Sequence, residues 1–303
     1  MKLKKLSGDE RGNVMVLAAI GMMAMLAMAG LVLDGGMLFY TKSHLQKTAN
    51  AAALSGAQEL TGEEAEVTAI VHDVLAAHDE DPSLQAVRVV KGQSVRVNLQ
   101  KDVPLLFAKI FGIESAPVDA ESAAGIGPMA RAAGAAPLGI DDSIPLEFGR
   151  TYKLKVDETE VDTGVFGILA LGGPGAKTYE ENLRSGYDEE IKAGDILETE
   201  TGNIAGKTRT VIQELVNQCP YNEGDPIDRD CSRVLLIPVY KPYNQESNQM
   251  KQVEVTGFAY FFITEPMDLL DTAITGMFIK RTGTGFIDGS VRDSGAYGIR
   301  LIE

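Results

Sequence analysis

The chain has 303 residues, enough for two domains or three with a stalk, and a formal net charge of −15 with a pI near 4.7. This acidic balance argues against a nucleic-acid partner, because phosphate binding needs a basic surface. With three His, two Cys and no Trp, the chain has little material for a catalytic site, a metal centre or a carbohydrate-stacking surface.

The first predicted element is an uncharged apolar stretch from Val14 to Leu33. At a helical rise of about 1.5 Å per residue it is about 30 Å long, which is the thickness of the hydrocarbon core of a bilayer. We interpret it as a single transmembrane helix. Basic residues before it place the N-terminus in the cytoplasm and the rest of the chain outside. They are Lys2, Lys4, Lys5 and Arg11.

A cleaved secretory signal is the alternative interpretation of this stretch. The small residues Ala27 and Ala29 could form a cleavage site after the basic start. The apolar run is longer than the usual signal core of about 7–15 residues, and helix-like sequence continues past the site. Under either interpretation the bulk of the chain is exported.

Beyond Asp34, small and apolar residues at helical spacing predict that the helix continues as a stalk to residue 62. Gly35 and Gly36 could form a hinge at the membrane exit, because glycine lowers helix propensity. The face that repeats at steps of three, four or seven consists of Leu38, Leu45, Ala49, Ala52, Gly56 and Leu60.

This ordered set of residues resembles the N-terminal segment of the TadE/TadG-like proteins of Flp (Tad) pilus assembly. The resemblance implies a membrane-anchored structural or assembly component of a Tad/Flp-type pilus or related secretion apparatus. It implies pilus or secretion-system subunits as partners of the helix, and no enzyme activity, cofactor or metal. The residues that carry it are Arg11-Gly12, Asp34, Gly35, Tyr40, Leu45-Gln46 and Ala49 to Leu54.

One position departs from the pilin-like members of that family. Members that are processed carry a Glu five residues after the Gly at which they are cut, and counting from Gly12 gives Leu17. This difference argues against processing between Gly12 and Asn13. The chain is therefore more similar to the unprocessed, TadG-like branch.

Residues 63–127 are predicted to form a small α/β unit, in an order that also resembles TadG-like proteins. A Gly- and Pro-rich stretch at 128–137 reads as a linker to the next domain. The expected elements are a helix at Glu63–His78, strands at Ala86–Val90 and Ser94–Leu99, a second helix from Val103 to Phe111, and a strand at Pro117–Ala124.

Residues 138–303 are predicted to form a β-rich extracytoplasmic domain, so the fold class is α+β. The nearly all-apolar segment Val253–Ile263 is expected to be a central strand. Part of this region resembles the C-terminal region of Gram-positive Tad-like proteins, and the residues that carry the resemblance are Gly164, Phe166-Gly167, Leu171-Gly172-Gly173, Tyr179, Asn182 and Gly202-Asn203. The other candidates are strands at Thr151–Val156, Val165–Leu171, Asp195–Thr199, Val234–Tyr240 and Ile274–Lys280, and helices at Tyr179–Arg184 and Thr208–Asn217.

Cys219 and Cys231 close a short loop, which in an exported chain predicts a disulfide; two free thiols are the alternative. The acidic loop between them could gather a hard cation, although solvated acidic loops are commoner. Its carboxylates are Glu223, Asp225, Asp228 and Asp230.

Enzyme chemistry finds little support in the sequence. The Gly-rich segment from Gly172 to Thr178 fails the phosphate-loop pattern at Leu171 and Ala176, so a tight turn is expected there. All three histidines lie at or before residue 78, far from the C-terminal domain. A membrane-anchored binding module, such as an adhesin, is the alternative to the pilus component.

Overall fold

The computed structural model describes residues 10–155, 166–200, 204–243, 251–269 and 272–302. Its helices are α1 (Glu10–Ala57), α2 (Glu64–Ala77), α3 (Ala176–Ser185) and α4 (Ala205–Gln218). Its strands are β1 (Leu84–Val90), β2 (Ser94–Pro104), β3 (Ser115–Ala132), β4 (Leu138–Asp141), β5 (Thr151–Lys155), β6 (Phe166–Ile168), β7 (Ile191–Lys192), β8 (Ile196–Glu198), β9 (Val234–Tyr243), β10 (Gln252–Ile263), β11 (Ala273–Ile279), β12 (Arg281–Thr282), β13 (Gly285–Ile287) and β14 (Ala296–Ile302).

Helix α1 runs without interruption for 48 residues, so the transmembrane stretch and the stalk form one element. Gly35 and Gly36 lie within it as helical residues, and the helix continues through them without a break. The predicted apolar face packs on the folded part of the chain. Of that face, Leu45, Ala49 and Ala52 are fully buried, and Leu60 is buried just after the helix ends.

Helix α2 packs beside the second half of α1. Glu66 accepts a hydrogen bond from the backbone N–H of Glu63 at 3.1 Å, which satisfies one donor at the start of the helix. Val67, Val71 and Leu75 are buried from this helix, as the sequence predicts. They share one core with α1 and the first sheet.

The first sheet is organised around the long strand β3. Its order is β1-β2-β3-β14-β12, and the short strands β13 and β7 also pair with β3. Strands β1, β2, β3 and β14 pair antiparallel in that order. The last strand of the described chain, β14, therefore lies next to an N-terminal strand, with Ile302 opposite Ala123.

One sequence-based prediction, the second helix, is wrong in this region. The helix expected from Val103 to Phe111 is the end of β2, a loop, and a short 3-10 helix at Ala108–Phe111. The stretch expected as a linker at 128–137 continues β3 as far as Ala132. Small residues of β3 let β13 come close to it: a Cβ on Gly127 would lie 2.6 Å from the Ile287 side chain of β13.

The second sheet has the order β5-β11-β10-β9-β4-β6, with β8 also paired to β10. Strand β10 lies inside it between β11 and β9, which confirms Val253–Ile263 as a central strand. Helices α3 and α4 cover one face, where Val211, Ile237 and Phe261 share a core. Val165 and Val156, at the ends of two predicted strands, lie outside the described residues, as do Gly164, Gly202 and Asn203.

A third cluster of buried residues connects the two sheets. Met129 and Ala132 of β3 pack with Tyr240 of β9 and with Val253 and Phe258 of β10. The α+β fold class is confirmed, because a long apolar helix precedes a mixed region with two sheets. The division of the chain at residues 127 and 138 stays a prediction.

Packing of α1 on the first sheet gives a testable consequence. Ala52 is fully buried, so Ala52→Leu inserts three carbons into a filled core and should lower the free energy of unfolding by about 1–3 kcal/mol. Chemical unfolding of the full chain in detergent measures this change.

Ala76→Leu is the matched control, since Ala76 is an exposed position of α2. It should leave the free energy of unfolding within about 0.5 kcal/mol of wild type. Equal losses in both variants would show that the stalk is not packed as described.

Candidate functional site

The first half of α1 projects from the folded part of the chain. Among the described residues, α1 is the one helix long and apolar enough to cross a membrane by length and composition. Every side chain from Val14 to Ala29 is exposed, and between residues 14 and 37 the buried positions are Gly30 and Asp34. These two mark the place where the helix meets the rest of the chain.

Gly30 contacts the aromatic side chain of Phe107, which lies beyond the end of β2. A Cβ on Gly30 would come within 2.4 Å of Cγ of Phe107, so only glycine permits this approach. By contrast, a Cβ on Gly21 would meet open space. The small residue at position 30 therefore serves contact within the chain.

Asp34 holds the same segment through its carboxylate. Oδ1 accepts the backbone N–H of Leu106 at 2.8 Å, Oδ2 accepts that of Ala108 at 2.8 Å, and Oδ2 also accepts that of Phe107 at 3.0 Å. Asp34 is 7% exposed. The carboxylate binds N–H groups at the start of the 3-10 helix Ala108–Phe111. The first N–H groups of a helix have no carbonyl partner within the helix, so they need an acceptor from elsewhere.

The pKa of Asp34 reflects two opposing causes. Burial disfavours the charged carboxylate, whereas the backbone N–H groups of Ala108, Leu106 and Phe107 stabilise it. The hydrogen bonds outweigh burial, and the pKa of Asp34 lies below its ordinary value. The carboxylate is therefore ionised at neutral pH and accepts all three donors.

Polar contacts continue along the stalk in a fixed register. The ammonium of Lys42 donates to the carbonyl of Asp119 at 2.6 Å, and the amide of Gln46 donates to the carbonyl of Glu121 at 2.7 Å. Four helical residues rise about 6 Å and two strand residues about 6.6 Å, so α1 and β3 run side by side in the same direction.

Glu80 is a buried carboxylate between α1 and the first sheet. It accepts hydrogen bonds from Lys101 Nζ and Ser83 Oγ, both at 2.5 Å, and lies 3.5 Å from Nε2 of His44 on α1. Burial disfavours its charge, but Lys101, Ser83 and His44 together outweigh burial and lower the pKa of Glu80 below its ordinary value.

Cys219 and Cys231 form a disulfide, as the sequence predicts. The loop that they close contacts the end of the stalk through Arg229. Its guanidinium donates to the carbonyl of Gln58 at 2.7 Å and to Glu59 at 3.1 Å. A cation at this position complements the negative end of α1.

The acidic side chains of that loop serve local turns. Asp225 accepts from the backbone and side-chain N–H groups of Asn222, and Asp228 accepts the backbone N–H of Asp230. In the described parts of the chain, no group of three or more His, Cys, Asp or Glu side chains is placed to hold a metal ion.

The remaining candidate residues are scattered. Gly12 and Asn13 lie in the first turn of α1, at the opposite end from the folded part. The Gly-rich segment is a turn before α3, in which Gly172, Gly173 and Gly175 have positive φ angles. Asn182 of α3 donates to the carbonyl of Leu171 at 2.7 Å, which holds this turn closed.

Sequence reasoning missed the contact between Asp34 and the loop after β2. Two signals for it were present: an acidic residue directly after an apolar span, and the apolar segment Leu105–Phe111, whose pattern was assigned to a helix. Neither signal says that the two segments meet, because 72 residues separate Asp34 from Leu106.

Comparison with protein-family models found two overlapping matches. Residues 12–59 match the family described as Flp pilus-assembly TadE/G-like, and residues 40–124 match the family described as Tad-like Flp pilus-assembly. Together they cover α1, α2 and the first three strands as far as residue 124. The search of curated proteins and the search of solved structures found no match.

Replacement of Asp34 should release the loop that it holds. Asp34→Asn removes the charge and one acceptor oxygen, so backbone N–H groups of Leu106 to Ala108 lose their partners. We expect faster amide hydrogen exchange at these three residues. Asp73→Asn, at an exposed position of α2, is the control and should leave that exchange unchanged. Protection retained at all three residues in Asp34→Asn would contradict the contact.

Glu80 should make stability fall in acid. Because its pKa is lowered on folding, its contribution is full above the unfolded value of about 4.3 and is lost as the pH falls through the folded value. Unfolding temperatures of the full chain in detergent should therefore drop below about pH 4. Glu80→Gln should reduce that dependence, and Glu64→Gln, exposed on α2, should not. Identical pH profiles for both variants would rule out this role.

Proposed function

We propose that the chain is a structural or assembly component of a Tad/Flp-type pilus or related secretion apparatus, because residues 12–124 match the TadE/G-like and Tad-like families of Flp pilus assembly. In this proposal α1 crosses the cytoplasmic membrane once, with its N-terminus in the cytoplasm. The two sheets then lie outside.

The observation that carries the proposal is the division of α1 into two surfaces. From Val14 to Ala29 the helix exposes apolar side chains in all directions, and from Leu45 to Ala57 it packs small residues on the first sheet. Exposed apolar surface of this size needs lipid or partner helices to cover it. The packed half of α1 holds the folded part at a fixed place relative to the exposed half.

Charge supports the proposed orientation. Four basic residues, Lys2, Lys4, Lys5 and Arg11, precede the apolar span. Basic residues beside a span favour the cytoplasmic side. The first described charged residue after the span, Asp34, is held by backbone N–H groups and so is not an unpaired charge at the membrane surface.

A non-enzymatic role is part of the proposal. His44 and His72 contact the carboxylates of Glu80 and Asp81, in the unit built around the stalk. A hydrolase in the C-terminal part would have to work without a histidine base, because the sequence has no histidine after His78. Position 17, a fully lipid-compatible Leu where pilin-like members carry Glu, supports the TadG-like branch without cleavage at Gly12.

Site-specific photocrosslinking tests the partners. A photoreactive residue at Met23, on the exposed span, should form adducts with pilus or secretion-system subunits in cells that express the apparatus. A matched probe at Leu269, which is exposed in the C-terminal part, distinguishes the alternatives. Adducts from Leu269 with a surface ligand, and none with pilus subunits from Met23, would favour a binding module instead.

Labelling with a membrane-impermeant maleimide tests the orientation. Both native cysteines are in the disulfide, so Val90→Cys introduces a single reactive thiol on an exposed site. It should be labelled in intact spheroplasts, whereas Lys5→Cys should be labelled only after lysis. The reverse pattern would overturn the orientation. Intact mass of the same samples reports cleavage after Gly12 or Ala29.

A further inference from the structure

The loop between β2 and β3 is rich in apolar residues, and we name it the Leu105–Ile113 loop. Leu106, Ile110, Phe111 and Ile113 are 63%, 77%, 81% and 54% exposed. Large side chains so exposed within one short loop form a contiguous apolar patch, of a kind that soluble surfaces avoid unless it binds something.

The position of this loop along α1 is fixed by the contacts of Asp34 and Gly30. Asp34 binds its backbone N–H groups, and Phe107 packs on Gly30, which is the fourth residue from the end of the apolar span. The loop therefore lies beside the last turn of the span, at the level where Leu31, Val32 and Leu33 expose their own side chains. Its patch continues the surface that the proposed function already assigns to lipid.

The register between α1 and β3 gives the same position independently. Lys42 contacts Asp119, and eight helical residues back to Asp34 span about 12 Å. Four strand residues back from Asp119 to Ser115 span about 13 Å, which brings the tip of the β2–β3 hairpin to Asp34. The sheet thus directs this tip toward the membrane end of the helix.

Charge in the loop fits a lipid surface. Lys109 is the one charged residue between Leu105 and Ile113, in a chain with a net charge of −15. A lysine among apolar residues can bury its stem in the interface and leave its ammonium at the headgroups. Tyr40, which is exposed between one and two turns after Asp34, is a residue type that favours the same interfacial zone.

From these observations we propose that the Leu105–Ile113 loop inserts into the outer leaflet of the membrane that α1 spans, with Ile110 and Phe111 at its deepest point. This inference rests on the proposed function, since it needs α1 in a bilayer. The folded part then has two attachments to the membrane, a helix and a loop. Two attachments fix its rotation about the helix axis, which one helix alone would leave free.

Depth-dependent fluorescence quenching tests the insertion. The full chain, with a single environment-sensitive label, is reconstituted into vesicles of phosphatidylcholine and phosphatidylglycerol with or without brominated acyl chains. Labels are placed at Ile110→Cys in the loop, at Leu26→Cys in the span, and at Val90→Cys at the far hairpin. Val90 is the matched control, because it is also an exposed apolar residue next to a strand turn.

Insertion predicts that brominated lipid quenches the labels at Ile110 and Leu26 and leaves the label at Val90 unchanged. Quenching at Leu26 without quenching at Ile110 would overturn the inserted loop and leave the transmembrane anchor intact. Absence of quenching at Leu26 would overturn both. A label at Ile110 that brominated lipid does not reach, but that is shielded from aqueous iodide, would assign the patch to contact with a second copy of this chain and so also overturn the proposal.

Discussion

The carboxylate of Asp34 connects the two parts of this chain. It lies on α1 directly after the apolar span, and it accepts backbone N–H groups from a hairpin loop that begins 72 residues later. Without this contact the first exposed half of α1 would join the folded part only through the continuing helix. With it, the membrane end of the helix and the tip of the β2–β3 hairpin form one unit, and Gly30 supplies the close approach that lets Phe107 complete it.

After Asp34, contacts at regular intervals between α1 and β3 set how the helix lies on the first sheet. Small residues such as Ala49 and Ala52 let the helix lie close to the sheet. Glu80 lies between Lys101 of β2 and His44 of α1, so its carboxylate also holds the helix against the sheet. At the other end, Arg229 donates to the carbonyl of Gln58, so the disulfide loop that precedes β9 also contacts the stalk. These packed and hydrogen-bonded contacts hold the first sheet and the disulfide loop at fixed positions along the helix.

Local pattern was sufficient to predict the apolar span, the buried face of the stalk, α2 and the central strand β10, because each has an apolar run or a hydrophobic period within one segment. It failed where distant segments decide the structure. The pattern of Leu105, Leu106 and Phe107 suits a helix, but the backbone N–H groups of that segment bind Asp34 instead. The Gly- and Pro-rich stretch at 128–137 suggests a linker, yet β13 and β14 pair with its first residues, and those strands come from the end of the chain. The Asp34 site was invisible for the same reason.

Because Asp34 and Gly30 connect α1 to the folded part, we expect the two to behave as one rigid body in the membrane, despite Gly35 and Gly36. Pulsed electron–electron double resonance between spin labels at Leu26→Cys and Val90→Cys, in the full chain reconstituted into bilayers, measures this directly. Both sites are exposed, and they lie on opposite sides of the Asp34 junction. The structure predicts a single narrow distribution of distances between the two labels. A broad or bimodal distribution would contradict it, because the helix would then bend at the glycines.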